Sequence, residues 1–154
     1  MTDVAAPAAR TGSVELRFGM RSDVGLRRAV NEDAVLAESP VFLVADGMGG
    51  HEAGDRASLA VVEAFRPLAG RLDVTAPEVT QAVESAHATV RRLAATLERG
   101  AGSTLTAVVL LQSNGVPHWL VVNVGDSRVY RMTGIAPPLP MTRRRNTRCC
   151  VTVA

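Results

Sequence analysis

Apolar and polar positions alternate from Val14 to Met20, with Val14, Leu16, Phe18 and Met20 on one side, the period of a half-buried strand. A second apolar run, Ala34 to Ala37, turns at Ser39-Pro40 into a third, Val41 to Ala45, which stops at Asp46. Strands joined this tightly are expected to pair as an antiparallel hairpin, bringing Glu32 and Asp33 to the same edge as Asp46. The period then changes. Ala57, Ala60, Val61, Ala64, Phe65 and Leu68 recur at helical spacing and predict a helix from Ala53 to Arg66, ended by Pro67 and Gly70. Thr75-Ala76-Pro77-Glu78 has the form of a capping box. It opens a second stripe, Val79, Ala82, Val83, Ala86, Val90, Leu93, Ala94 and Leu97, that runs to Arg99 and stops at Gly100 and Gly102. Two successive helices with a short connection are expected to pack antiparallel on one face of a sheet.

Strand character returns from Thr104 to Leu111, breaks at Ser113-Asn114-Gly115, and resumes from Trp119 to Val124. Gly125-Asp126-Ser127-Arg128 interrupts it before Val129 to Met132, as a bulge or tight turn would. Pro137, Pro138 and Pro140, followed by Thr142 to Cys150, show neither period. The expected division is a disordered leader over 1–13, a folded unit over 14–135 and an irregular tail over 136–154. The fold class is α+β.

Composition narrows the possibilities without choosing among them. A chain of 154 residues with 47% hydrophobic and 21% charged residues has the length and balance of one domain with a real core. The formal net charge of +2 is small, and much of the excess lies in Arg143, Arg144, Arg145 and Arg148, so nucleic acid is not expected as a partner. All 17 basic residues are arginine, which reads as codon bias more than chemistry. The adjacent Cys149 and Cys150 fit neither an unstrained disulfide nor a zinc site, and a reducing, cytoplasmic setting is expected. No apolar run approaches the ~20 residues of a membrane span.

The acidic residues Glu32, Asp33, Asp46 and Asp126 each sit beside an expected strand end or turn. Hard divalent cations take oxygen ligands and keep several waters, so a few carboxylates suffice to hold Mg2+ or Mn2+. Arg28 has the chemistry to bind a phosphate through two parallel hydrogen bonds. Blander readings stand beside these: Asp46-Gly47 and Asp126-Ser127 as turns, Glu32-Asp33 as a solvated loop. Arg128 reads as a structural salt-bridge partner. Position 55 is Asp55, so His51-Glu52 does not continue into a His-Glu-x-x-His zinc motif, and the glycines around His51 lack the Gly-Lys of a P-loop.

In order along the chain stand Arg28-x-x-Asn31-Glu32-Asp33, Asp46-Gly47-Met48-Gly49-Gly50-His51-x-Ala53-Gly54, Gly102-Ser103-Thr104 and Val124-Gly125-Asp126-Ser127-Arg128. Together they resemble the N-terminal part of the metal-dependent protein phosphatase family, of the protein phosphatase 2C type, in its bacterial form. The resemblance spans about Glu15 to Met132. It implies an α-β-β-α sandwich, two antiparallel sheets flanked by helix pairs. It further implies hydrolysis of phosphoserine and phosphothreonine on proteins, the substrates of a Ser/Thr kinase, by direct attack of a hydroxide bridging Mn2+ or Mg2+ ions, two or more per intact site. On the same ground Asp46 would bridge the ions and Glu32 and Asp33 would arrange ligands and waters. The Gly47 carbonyl would complete one coordination sphere, and Asp126 would serve a third-metal region. Arg28 would hold the phosphate and His51 would act as general acid.

The family's later Ser-Asp-Gly and Asp-Asn motifs are absent, and the chain leaves the pattern near Met141-Thr142. The expectation is a C-terminally truncated or frameshifted domain. Its alternative function is that of an inactive fragment that at most binds a phosphoprotein or partner.

Overall fold

The computed structural model describes residues 4–5, 9–11, 14–49, 53–132, 139–140 and 150–153. The strands β1 (Val4–Ala5), β2 (Ala9–Thr11), β3 (Val14–Leu16) and β4 (Gly19–Met20) form two small antiparallel ladders, β1 with β4 and β2 with β3. The expected strand from Val14 to Met20 is therefore interrupted at Arg17-Phe18. There the Phe18 ring meets Phe42 edge-on, with centroids 4.9 Å apart.

Next come β5 (Asp33–Glu38) and β6 (Val41–Gly49), then α1 (Ala53–Phe65) and α2 (Ala76–Ala95), then β7 (Ala101–Ser103), β8 (Leu105–Ser113) and β9 (Val116–Val124). These strands make one antiparallel sheet in the order β5-β6-β8-β9, with β7 pairing the far end of β6. The β8–β9 hairpin closes through Asn114 and Gly115, both at positive φ (52° and 75°), in a two-residue turn of the primed kind that matches the twist of paired strands. That turn starts β9 at Val116, three residues before the apolar run begins. Last are β10 (Arg128–Arg131), β11 (Leu139–Pro140) and β12 (Cys150–Val153), a smaller sheet ordered β11-β10-β12.

The capping box at α2 forms as its sequence predicts. Glu78 accepts from both the Thr75 amide (2.9 Å) and hydroxyl (2.7 Å). The helix ends at Ala95, four residues short of expectation, because Thr96 already turns back onto Leu93 and Ala94. α1 likewise gives way after Phe65 to a 3-10 turn, Arg66–Leu68, in which Pro67 needs no amide partner.

Pleating divides the large sheet into two faces. Leu36 of β5, Val41, Leu43 and Ala45 of β6, and Leu105, Ala107 and Val109 of β8 join Val61, Val62, Phe65, Val79, Ala82 and Ala86 of the helices in the main core. Phe65 is fully buried there. The residues between them on each strand, among them Asp33, Phe42, Asp46, Thr106 and Val108, point to the face away from the helices. β10 and β12 contact β8, and β12 also contacts β6.

Candidate metal centre

The β5–β6 hairpin places Asp33 opposite Asp46, as its tight connection predicts. One step further along, the Gly47 amide donates to the Glu32 carbonyl at 3.1 Å. Antiparallel pairs alternate between hydrogen-bonded and non-hydrogen-bonded, so Asp33 and Asp46 form a non-hydrogen-bonded pair, the kind whose Cα atoms approach to about 4.5 Å. Two carboxylates on one face at that spacing repel. Partial burial, then the charges of Asp46 and Glu32, raise the Asp33 pKa above its ordinary value. The approach to the pair is fixed by Asn31, whose Oδ1 accepts from the Asp33 amide (3.1 Å) and whose Nδ2 donates to Ser22 Oγ (2.7 Å).

Asp46 does not end its strand. β6 continues through Gly49 because Gly47, Met48 and Gly49 pair with Ser103, Gly102 and Ala101 of β7. The glycines expected to form a loop are thus partly ladder residues, with a packing reason for lacking side chains. A Cβ on Gly47 would overlap the Gly54 carbonyl in the first turn of α1, and one on Gly54 would overlap the Glu32 carboxylate. Glu32 therefore occupies the space beside the α1 N-terminus, where the helix dipole favours negative charge. Arg28, exposed, reaches Glu32 Oε2 with Nη1 at 3.4 Å.

Thr104 lies across the sheet from Asp46, between β7 and β8. Its amide donates to the Asp46 carbonyl (2.9 Å), while its Oγ1 accepts from the Asp46 amide (2.9 Å). Oγ1 also shares a 3.0 Å hydrogen bond with Ser127 Oγ, and both residues are buried. Ser127 follows Asp126, which is exposed, and Gly125, whose φ of 102° suits glycine and where a Cβ would come 2.8 Å from Thr104 Cγ2. The Gly125–Ser127 turn, read as a bulge or tight turn, thus packs directly on the residue that holds Asp46. Arg128 is 5% exposed, its Nη1 has no hydrogen-bond partner, and it makes no ion pair among the described residues.

Of the sequence-predicted site residues, Asp33 and Asp46 face one another, Glu32 and Gly47 are their chain neighbours, and Arg28 contacts Glu32, whose carboxylate lies against Gly54 of α1. Asp126 is linked to Asp46 through Ser127 and Thr104. His51 lies outside the described residues. Among the described residues no group of three or more His, Cys, Asp or Glu side chains gathers at metal-binding separation. The donor set nevertheless fits a hard divalent cation. It is all oxygen, its central pair is under mutual repulsion that a cation would relieve, and such ions bind through one or two carboxylates with water completing the shell. Asn31, Ser103, Thr104 and Ser127 carry no role in the sequence reading. All four stand inside the motifs that carry the resemblance, and register gives Thr104 its part, since 46 faces 104 only once β6 and β8 are aligned.

No family model matches the chain. The chain is 42% identical over 120 residues to the serine/threonine protein phosphatase PstP of Mycobacterium tuberculosis (strain CDC 1551 / Oshkosh), a match covering 75% of this chain and 22% of that protein. It is 38% identical over 125 residues to the serine/threonine phosphatase stp of Listeria innocua, covering 71% of this chain and 47% of that protein. The crystal structure of the catalytic domain of PstP in complex with 2 manganese ions superposes with a TM-score of 0.68 at 34% identity, over 79% of this chain and 53% of that one. In sequence and in fold the chain is similar to serine/threonine phosphatases of the PP2C type, and its helices and antiparallel sheet make an α+β arrangement. It spans about half the length of the Listeria relative, and less of the mycobacterial one.

Proposed function

We propose that this chain supplies the acidic half of a metal-dependent protein serine/threonine phosphatase centre. The observation that carries the reading is the Asp33–Asp46 pair, set on the sheet face away from the helices and charged against itself. A divalent cation bound there, Mn2+ or Mg2+, would polarise a phosphoryl oxygen and lower the pKa of water. The chain's own groups set the geometry. Asp33, Asp46, Glu32, the Gly47 carbonyl and Asp126 would hold the cations or their waters, and Arg28, exposed beside Glu32, would orient the phosphate of a phosphoserine or phosphothreonine protein. Water displaces the alcohol at phosphorus directly, without a phosphoenzyme, and His51 donates the proton to the leaving oxygen. The substrates are proteins phosphorylated by a Ser/Thr kinase, and the setting is cytoplasmic. No helix among the described residues is long and apolar enough to cross a membrane.

A second reading has its own observation. The described residues gather no cluster of three metal-ligating side chains, which favours a chain that binds a phosphoprotein or partner without turning it over. One experiment separates the two: phosphate release from a phosphothreonine peptide, with and without Mn2+. Release that requires Mn2+, stops with chelator and is lost in Asp46→Asn supports the phosphatase. Binding of the peptide without release supports the second reading.

A further inference from the structure

We propose that Thr104 is a positioning residue for Asp46, and that Ser127 ties this support to the Asp126 turn. The proposal rests on the metal-centre reading above. At a hydrogen-bonded antiparallel pair, two residues normally exchange two main-chain bonds. Asp46 and Thr104 exchange only one of them, from the Thr104 amide to the Asp46 carbonyl (2.9 Å). The Asp46 amide goes instead to the Thr104 hydroxyl (2.9 Å). The Thr104 carbonyl, thus released, accepts from Ser103 Oγ (2.9 Å), which also reaches the Asp46 carbonyl (3.3 Å). A side-chain hydroxyl therefore stands where a main-chain acceptor normally fixes the strand.

The consequence is local and specific. Asp46 is held by a group that a substitution can delete without changing the main chain of either strand. Thr104 is 3% and Ser127 2% exposed, so there is little access for water to replace a lost hydroxyl. Thr104 Oγ1 meets Ser127 Oγ at 3.0 Å, and Gly125 packs on Thr104 Cγ2, so this side chain touches both the turn carrying Asp126 and the strand carrying Asp46. Supports behind metal-binding carboxylates typically act in this way, by holding the orientation of the ligand.

The test compares the wild-type chain with Thr104→Val, Thr104→Ser and Ser127→Ala. Thr75→Ala, at the α2 cap, serves as a control that lowers thermal stability far from the site. Asp46 amide exchange by NMR without metal should speed up about five- to tenfold in Thr104→Val, the loss expected for one buried hydrogen bond. Mn2+ affinity by calorimetry should fall about 10–100-fold in Thr104→Val, while Thr104→Ser restores both and Ser127→Ala falls between. Thr75→Ala should change neither. Wild-type exchange and affinity in Thr104→Val, or no rescue by Thr104→Ser, would overturn the proposal. If Thr104→Val does not fold, Ser127→Ala decides: unchanged Asp46 exchange overturns the proposal and faster exchange supports it. If the wild-type chain takes up no Mn2+, the metal-centre reading fails. The exchange data then decide the positioning claim alone.

Discussion

Asp33 and Asp46 oppose each other at a non-hydrogen-bonded position of the β5–β6 hairpin, where facing side chains come closest. The arrangement costs stability in the absence of a cation. Asp33→Asn should therefore stabilise the metal-free chain at neutral pH by roughly 0.5–1 kcal/mol, the scale of like charges directly opposed in a sheet. The pH dependence has a definite sign. The folded pKa of Asp33 is raised above its ordinary 3.8, so the folded state binds that proton more tightly than the unfolded chain. The relative stability from this residue is fully present below 3.8 and is lost as pH rises through the folded pKa. Thermal unfolding in chelator should show this trend in the wild-type chain, and it should flatten in Asp33→Asn.

Much of this hairpin is legible in the sequence, and for a physical reason. A short turn between two apolar runs leaves one pairing that buries one face of each, so Asp33 and Asp46 are brought together by chain connectivity alone. The helix starts are equally legible, since Thr75 and Glu78 are a local signal. What the sequence leaves hidden is non-local. β7 is read as the glycine stop of a helix, but it is a strand because Gly47, Met48 and Gly49 are there to pair with it. Thr104 and Ser127 are motif residues without a part to play until the register places one hydroxyl on the Asp46 amide.

Arg28 is exposed and its contact with Glu32 is a single 3.4 Å approach, so Arg28→Ala should leave thermal stability within about 0.5 kcal/mol of wild type. Its effect belongs to the substrate. In a phosphopeptide assay of the active protein, KM should rise about tenfold or more, the value of a charge-assisted hydrogen bond to phosphate. A large loss of stability with unchanged KM would make Arg28 a structural residue.

Gly54→Ala should push the Glu32 carboxylate out of its place beside α1, since the new Cβ overlaps it. Overpacking of this kind costs about 1–3 kcal/mol, measurable by urea unfolding. Gly100→Ala provides the contrast: its Cβ meets nothing within 4 Å, so its cost comes from the positive φ of 67° and leaves Glu32 in place.

Phe65 is fully buried at the end of α1, within the core shared by the helices and the large sheet. Phe65→Ala should cost about 3–5 kcal/mol in equilibrium unfolding, by lost burial and the cavity left behind. A cost under about 1 kcal/mol would mean that the helix layer does not pack on the sheet as described.

The most direct test is a calorimetric titration of Mn2+ into the wild-type chain and into Asp46→Asn at neutral pH. Saturable binding to the wild type that disappears or weakens at least tenfold in Asp46→Asn is the expected result. Absence of saturable binding to the wild type, or equal binding to both chains, would contradict the assignment of the Asp33–Asp46 pair as a metal centre.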